Sequence, residues 1–298
     1  MEVSTKARRD KASSRPGGVF ELGNRGECAT FIRMIHPTAI IHPGAKLDPT
    51  VSVGPYAVID EGLELGAQCI VGPHAYLTGR TTIGVNNVFH AGCVIGDAPQ
   101  DLKYKGEPTR LRSGDHNVFR EHVTVQRANH PDTETIVGAH NFIMANAHVG
   151  HNSLVGDHVI MANGVLLAGH VEVGDRAFIS GNGLVHQFCR VGPLALMQGG
   201  TAISTDLPPF TIARGVNILC GLNVVGLRRA GFTAEQRLEL KRLYRALFRS
   251  GKNLRTALEA AKNDFTSPTA KSLLDFVAGA KRGVCADVSR AASEDEDD

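Results

Sequence analysis

Apolar residues recur at every sixth position along most of this chain. From Val137 to Ile203 the blocks read VGAHNF, IMANAH, VGHNSL, VGDHVI, MANGVL, LAGHVE, VGDRAF, ISGNGL, VHQFCR, VGPLAL and MQGGTA, followed by the closing isoleucine. An α-helix repeats every 3.6 residues and a strand every two, so neither produces this period. A fixed short repeat is typical of a solenoid with stacked coils. The pattern therefore predicts a parallel β-helix of hexapeptide repeats.

The same six-residue rhythm begins at Ile35 and holds to Gln100. Each turn of a three-sided coil would take about 18 residues, and its apolar positions would stack in columns inside the coil. Two segments, near 101–112 and at 128–136, break the register. We expect both to loop out at corners, where insertions in solenoids commonly build the binding face.

The rhythm stops at the segment DLPPF, which ends at Phe210, and the pattern becomes helical after Phe232. The sequence TAEQ, starting at Thr233, predicts a capping box, and Ser267 followed by Pro268 predicts another helix start. Helices at this end would cover the open edge of the last coil. The predicted organisation is therefore a β-helix over 34–210, a helical domain over 211–283, and disordered segments at 1–33 and 284–298.

Composition excludes several classes of protein. The net charge of +2 offers no electrostatic basis for nucleic-acid binding. No apolar run approaches the ~20 residues that span a bilayer, so we expect a soluble protein without an integral membrane segment. The six cysteines form no CxxC pair, and Cys69, Cys93 and Cys189 take the fifth place of their hexads. We interpret these three as buried thiols in a reducing compartment, which for a soluble protein predicts the cytoplasm.

Six of the 13 histidines share one place in the repeat. Those at the fourth place of a hexad, predicted to be an outward corner, are His74, His116, His122, His140, His158 and His170. Counting one 18-residue coil from His151 reaches position 169, next to His170, and two coils reach position 187, next to His186. His148 lies three residues before His151. Four histidines on one edge predict a functional site beside Asn146, Asn163 and Gly169.

Three kinds of chemistry fit such a cluster. A neutral imidazole is a suitable general base near neutral pH. Histidine is also the commonest metal ligand, so a metal site remains an alternative. Covalent catalysis by Cys189 is disfavoured because its hexad place points into the coil.

Several motifs resemble the bacterial UDP-N-acetylglucosamine O-acyltransferases of lipid A biosynthesis over essentially all of 34–283. They are QDLKYKGEPTR from Gln100, NAHVGH from Asn146, LAGH from Leu167, VHQFC from Val185, DLPPF from Asp206 and GLRRAGF from Gly226. Many acyltransferases share hexapeptide repeats alone. The repeats together with the DLKYKGEPT loop and a helical C-terminus are far more specific.

The resemblance implies a left-handed β-helix that assembles as a homotrimer with active sites between subunits. It implies that His151 is the general base, which takes a proton from the glucosamine 3-hydroxyl as that oxygen attacks a (R)-3-hydroxyacyl thioester on acyl carrier protein. The backbone N–H of Gly169 would stabilise the oxyanion. No metal or diffusible cofactor is implied.

The resemblance also assigns substrate-binding positions. His148, His170, His186 and Gln187 would position the sugar and the acyl chain. Asp101 and Lys103 would meet the sugar nucleotide from the first loop, and Asn223 and Arg229 would contact the nucleotide. Gly199 lies where the family measures acyl length, and its small size favours a longer chain. Basic residues around Arg228–Arg249 would meet the carrier protein or form a solvated helix face.

Three positions depart from the family pattern. Asn152 follows the catalytic histidine where Asp is usual, Val225 stands where Glu is common, and Gln126 replaces a histidine. These departures leave open an N-acyltransferase that uses a UDP-glucosamine or a 3-amino sugar nucleotide. Two further alternatives are a zinc enzyme resembling carbonic anhydrase, built on the same solenoid, and a scaffold without catalytic activity.

Overall fold

The computed structural model of this chain describes residues 34–287, and there the hexapeptide repeat forms three parallel sheets. Successive strands pass from one sheet to the next, and each strand pairs with the strand one coil later. The predicted parallel β-helix is confirmed. The segments 1–33 and 288–298, which were predicted to be disordered, lie outside the described residues.

The strands of each sheet are short and follow one another along the solenoid. Sheet 1 consists of Ile40–Ile41, Val58–Ile59, Tyr76–Leu77, Val94–Asp97, Thr124–Gln126, His148–Val149, Leu166–Leu167, Leu184–Val185 and Ala202–Ile203. Sheet 2 consists of Lys46–Leu47, Leu63–Leu65, Arg80–Ile83, Arg110–Ser113, Glu134–Val137, Leu154–Val155, Glu172–Val173 and Arg190–Val191. Sheet 3 consists of Ser52–Val53, Ile70–Val71, Val88–Phe89, Val118–Phe119, Phe142–Ile143, Ile160–Met161, Phe178–Ile179, Leu196–Met197, Thr211–Arg214, Ile218–Leu222 and Ala286–Asp287.

Each hexad makes one strand and one corner. Its first residue points into the coil, as Ile59, Leu77 and Val149 do with 0% exposure. Its fourth residue turns the corner in the left-handed region, with φ of 58° at His140 and 64° at Phe188. Asparagine and histidine tolerate this region better than most residues, which explains why both are frequent at the fourth place.

Three corners run along the solenoid. The first corner leads from sheet 1 to sheet 2, the second from sheet 2 to sheet 3, and the third from sheet 3 back to sheet 1. Both insertions leave the coil at the first corner, as residues 98–109 and 127–133. The predicted loops, 101–112 and 128–136, extended too far, because Arg110–Ser113 and Glu134–Val137 pair with each other in sheet 2.

Four helices follow the solenoid: α1 (Val224–Arg229), α2 (Ala234–Phe248), α3 (Leu254–Asp264) and α4 (Pro268–Ala278). The capping box at Thr233 and the Ser267 cap are both present. The predicted start of the helical domain at 211 was too early. Thr211 is buried and its strand continues sheet 3, so the coil outlasts the hexad rhythm.

The predicted disordered tail also started too early. Ala286–Asp287 pairs with the Ile218–Leu222 strand, and Cys285 is fully buried. The Asp287 carboxylate accepts hydrogen bonds from the Tyr244 hydroxyl at 2.6 Å and from the Arg249 guanidinium at 2.7 Å. These buried contacts hold a segment that is polar in sequence.

The fifth place of the hexad is buried, as predicted for Cys69, Cys93 and Cys189, each with 0% exposure. Burial raises the pKa of the Cys93 thiol to about 12. The cysteines at 69, 93, 189, 220 and 285 are all free. Between residues 34 and 287 no helix is long and apolar enough to cross a membrane.

Candidate active site

The first corner gathers the histidines from different parts of the sequence. His151 follows the His148–Val149 strand, and Gly169 follows the next strand of sheet 1. One coil further on, His186 follows Leu184–Val185. The backbone N–H of His170 donates to the His151 carbonyl at 2.9 Å, which fixes the stacking of these turns.

A hydrogen bond to Asn152 determines which nitrogen of His151 is free. The backbone N–H of Asn129 donates to Asn152 Oδ1 at 3.1 Å, which identifies that atom as the amide oxygen. Asn152 Oδ1 lies 2.9 Å from His151 Nδ1, so the ring nitrogen must be the donor. In the neutral ring the proton therefore sits on Nδ1, and Nε2 carries the lone pair that a general base needs.

Gly169 lies directly against the His151 ring. A Cβ atom at this position would stand 2.5 Å from His151 Cε1 and 2.6 Å from Nε2, closer than real Cβ contacts. Within residues 34–287 the Gly169 N–H has no hydrogen-bond acceptor. The corner thus holds the unprotonated nitrogen of His151 against a residue whose backbone N–H is free. Acyl transfer requires a base and a donor of these kinds.

His170 and Phe188 form an aromatic wall beside the base. The His170 ring meets His151 edge-on with centroids 5.2 Å apart and stacks on Phe188 at 4.6 Å. Burial, together with the neighbouring His151, lowers the pKa of His170 below its ordinary value of 6.5. His170 is therefore neutral near pH 7.

His148 lies in the same coil as His151, and His186 lies two coils further along the solenoid. His148 Nδ1 and Thr124 Oγ1 share a hydrogen bond of 2.7 Å, and burial lowers the pKa of His148. His186 is exposed, and its Nδ1–H donates to the Gln187 carbonyl at 3.2 Å. Both rings are thus oriented before any substrate binds.

The two insertions cover the base from the same corner. Asp101, in the first loop, accepts from the backbone N–H of Lys103 at 3.0 Å and from the Asn129 amide at 2.7 Å. These two hydrogen bonds lower the pKa of Asp101, and the nearby His151 lowers it further. The Lys103 side chain is exposed. The first loop therefore brings the Asp101 carboxylate close to His151.

Asn146 and Asn163, which were predicted to lie beside the histidines, are instead at the third corner, after strands of sheet 3. Three predicted substrate-binding residues also lie away from the first corner. Gly199 is at the third corner, where an added Cβ would meet nothing closer than the Gly181 carbonyl at 3.7 Å. Asn223 caps α1, accepting from the Gly226 N–H and donating to the Leu194 carbonyl. The exposed Arg229 ends the same helix. Within residues 34–287 no hydrogen bond, ion pair or ring contact joins these three residues to the four histidines of the first corner.

The remaining fourth-place histidines occupy other corners. His116, His140 and His158 stack along the exposed second corner with centroids 4.8 Å apart. His74 and His122 lie at the third corner. Only His170, of the six, belongs to the candidate site.

A groove of about 590 Å³ adjoins the first corner along sheet 2 and ends near α4. Asn152, His170 and Phe188 line one end, and Lys281 and Arg282 line the other. Sequence reasoning missed Phe188 and Asn129. Phe188 had a signal, because a bulky aromatic residue at a left-handed position is unusual. Asn129 had none, since its role depends on how a non-repeating loop folds.

This fold and site define a class, the hexapeptide acyltransferases. Residues 134–169 match the model of the bacterial transferase hexapeptide (six repeats), and residues 206–285 match domain 2 of UDP-N-acetylglucosamine O-acyltransferase. The chain belongs to the UDP-N-acetylglucosamine O-acyltransferase family.

Curated relatives carry the name acyl-[acyl-carrier-protein]--UDP-N-acetylglucosamine O-acyltransferase. The protein from Thiobacillus denitrificans is 47% identical over 257 residues, covering 84% of this chain and 98% of the relative. The protein from Stutzerimonas stutzeri is 45% identical over 254 residues with the same two coverages.

Solved structures agree with this relationship. The UDP-N-acetylglucosamine acyltransferase of Bacteroides fragilis superposes with a TM-score of 0.81 at 39% identity, covering 84% of this chain and 99% of that one. The Arabidopsis enzyme gives 0.76 at 33% identity, covering 85% and 100%. The solenoid is the left-handed β-helix of this family.

Proposed function

We propose that this chain transfers a (R)-3-hydroxyacyl group from acyl carrier protein to the 3-hydroxyl of UDP-N-acetylglucosamine, the first step of lipid A biosynthesis. The observation that carries the proposal is the free Nε2 of His151 beside the unpaired N–H of Gly169. Family membership, with relatives named for this reaction, supports the choice of substrates.

The reaction needs one base and one oxyanion donor. His151 Nε2 takes the proton of the sugar 3-hydroxyl as that oxygen attacks the thioester carbonyl. The Gly169 N–H stabilises the negative charge on the carbonyl oxygen of the tetrahedral intermediate. When the intermediate collapses, the C–S bond breaks and the protonated His151 returns its proton to the leaving thiolate of the carrier protein.

These two groups account for part of the rate enhancement. General base catalysis contributes ~10²–10⁴-fold and an oxyanion donor ~10²–10³-fold. A thioester is already activated, so no enzyme nucleophile is required. Burial raises the pKa of the Cys189 thiol, which makes it unsuitable as one. Positioning of the two substrates supplies the remainder.

The oriented histidines suit recognition of a sugar. The neutral rings of His148 and His170 offer hydrogen-bonding atoms that carry no charge. The exposed residues His186 and Gln187 extend the same edge. Asp101 and Lys103 in the first loop complete the acceptor site in this proposal. The groove toward Lys281 and Arg282 provides a cationic end for a phosphate-bearing carrier arm.

We infer that the active unit is a homotrimer. The outward positions of sheet 3 form an apolar column: Ile70, Val88, Val118, Phe142, Ile160, Phe178, Leu196 and Ile212. A monomer would leave this column in water, and contiguous apolar surface of this kind is typical of an interface. In that trimer, Asn223 and Arg229 would contact the nucleotide bound between neighbouring subunits.

The carrier protein has a candidate docking surface on α2. Arg237, Lys241, Arg245 and Arg249 line a groove of about 430 Å³ together with the exposed Leu238. Cationic residues around an apolar contact suit an acidic partner.

The five cysteines within residues 34–287 are all free thiols. Free thiols are typical of a reducing compartment, so we propose that the reaction takes place in the cytoplasm.

The space at Gly199 supports a longer acyl chain. Nothing lies within 3.7 Å of a Cβ built there, so the third corner does not obstruct an extended substrate. A series of carrier proteins charged with 3-hydroxyacyl groups of different length tests this directly. A preference for the shortest member contradicts it.

The acceptor is tested by direct comparison. Purified protein is given 3-hydroxyacyl carrier protein with UDP-N-acetylglucosamine or its 3-amino analogue, and the zinc content is measured on the same preparation. We expect transfer to the hydroxyl sugar and no stoichiometric zinc. Transfer only to the amine supports the N-acyltransferase alternative, and activity that depends on zinc contradicts the role assigned to His151.

A further inference from the structure

We propose that two residues share the role of the Asp that usually follows the catalytic histidine in this family. Asn152 orients the His151 ring, and Asp101, held by Asn129, balances the charge of the imidazolium. The inference rests on the proposed function, because it concerns the base of that reaction. It identifies Asp101 and Asn129 as positioning residues in addition to any contact that Asp101 makes with substrate.

Asn152 can orient the ring but cannot balance its charge. Its amide is fixed at both ends, since Oδ1 accepts from the Asn129 N–H and Nδ2 donates to Thr133 Oγ1 at 3.0 Å. A neutral amide oxygen accepts from His151 Nδ1 whether or not Nε2 is protonated. The developing positive charge therefore needs a carboxylate from another part of the structure.

Asp101 is the carboxylate that the loops bring to this position. It interacts electrostatically with His151, and its pKa lies below the ordinary value, so it is ionised throughout the neutral range. Its partner Asn129 uses its side chain for Asp101 and its backbone for Asn152. A continuous chain of hydrogen bonds thus runs from Asp101 through Asn129 and Asn152 to His151.

The orientation of Asn129 indicates that this series of hydrogen bonds forms although it leaves one buried polar atom unpaired. Its side chain is 6% exposed, and Oδ1 has no hydrogen-bond partner within residues 34–287. Turning the amide over would aim Oδ1 at the Asp101 carboxylate, which is repulsive. The amide is therefore held by its bond to Asp101 although one buried atom stays unsatisfied.

The other titratable groups near the base do not supply a negative charge. His148 and His170 interact with His151, and both have lowered pKa values, so both rings are neutral near pH 7 and cannot balance a positive charge. His130 acts on His170, and the Lys103 side chain next to Asp101 is a cation. The groove has three carboxylates. Glu134 pairs with Arg112 at 3.3 Å, Asp206 pairs with Arg190 at 2.7 Å, and Glu172 is exposed on sheet 2.

The test is the pH dependence of kcat/KM in the intact enzyme. We expect the acid limb of Asp101→Asn to move ~0.5–1 pH unit lower, because loss of a nearby anion makes the imidazolium less stable. Asn152→Asp is expected to move the limb higher by a similar amount. The double variant Asp101→Asn/Asn152→Asp is expected to return it to within about 0.3 unit of wild type.

Asn129→Ala removes the side-chain hydrogen bond that links Asn129 to Asp101. It should move the acid limb of the kcat/KM profile in the same direction as Asp101→Asn. The double variant Asp101→Asn/Asn129→Ala should show no further shift. Asp132→Asn is the matched control, because this exposed carboxylate lies in the second loop without a bond to Asn129. Its limb should coincide with that of wild type.

The outcomes separate the two proposals. A wild type that transfers acyl groups while Asp101→Asn leaves the acid limb unmoved overturns the division of roles, even if KM rises. An equal limb shift in Asp132→Asn overturns it too, because the effect would then reflect general surface charge. A folded wild type without transfer activity contradicts the proposed function and removes the basis of this inference with it.

Discussion

At the scale of single residues, the site depends on what a hexapeptide corner can hold. The third place of one coil carries His151, and the third place of the next must then be Gly169, because any side chain would occupy the volume of the ring. The 18-residue count predicted this juxtaposition from sequence. The tautomer of His151 was not predictable, because it depends on Asn129 in a loop without a repeat.

Gly169→Ala tests the packing of the ring against the backbone. The added methyl group would displace the imidazole, and a misplacement of about 1 Å can cost ~10²-fold, so we expect kcat to fall at least that far. Steady-state kinetics with circular dichroism as a check of folding measures this.

The control is Gly181→Ala, which occupies the same hexad place at the third corner. There the new Cβ meets only the Asn163 carbonyl at 3.4 Å, so activity should stay near that of wild type. Equal kinetics for Gly169→Ala and wild type would show that the ring is not held against this backbone.

At the scale of elements, helix starts were predictable where local chemistry decides them. The capping box at Thr233 and the Ser267 cap use side chains within three residues of the bonds they make. The last strands were not predictable in this way. Thr211–Arg214 and Ala286–Asp287 are held by partners distant in sequence, such as Tyr244.

Tyr244→Phe tests the attachment of the C-terminal strand to α2. The hydroxyl donates to a carboxylate that is 2% exposed, so its loss should lower the free energy of unfolding by about 1.5–3 kcal/mol. Chemical denaturation measures the change. Tyr56→Phe is the control, since Tyr56 is 58% exposed, and a Tyr244→Phe variant as stable as this control would contradict the prediction.

The stability difference between wild type and Tyr244→Phe should also depend on pH. Burial and the neighbouring Asp287 raise the pKa of Tyr244 above its ordinary value of 10.0, so the folded state disfavours the tyrosinate. The stabilisation is fully present below pH 10 and is lost as the unfolded chain ionises above it. The stability difference between wild type and Tyr244→Phe should therefore be constant from pH 7 to 9 and shrink above pH 10. A difference that grows above pH 10 contradicts this assignment.

At the scale of the whole molecule, the hexad rhythm predicted the architecture because each repeat is one strand and one corner. The rhythm alone could not show which corner is functional, because all three have the same backbone. The histidines that recur about one coil apart predicted that edge. The two insertions distinguish the first corner, and both leave the coil there. In the proposed trimer, neighbouring chains would cover the apolar column of sheet 3.

Phe178→Glu tests the assembly. The residue lies between Ile160 and Leu196 on the outer face of sheet 3, and a charge there should convert a trimer into monomers. Ile136→Glu, at an outward aliphatic position on sheet 2, is the matched control and should stay trimeric. Sedimentation velocity measures both proteins. A Phe178→Glu variant that remains trimeric would exclude this face as the interface.

The measurement that tests the central claim most directly is acyl transfer from 3-hydroxyacyl carrier protein to UDP-N-acetylglucosamine by wild type and His151→Ala. We expect efficient transfer by the wild type and a loss of ~10²–10⁴-fold in a variant that keeps its fold. His140→Ala, which removes an imidazole from the second corner, should retain wild-type activity. Undiminished transfer by folded His151→Ala would contradict its role as the general base.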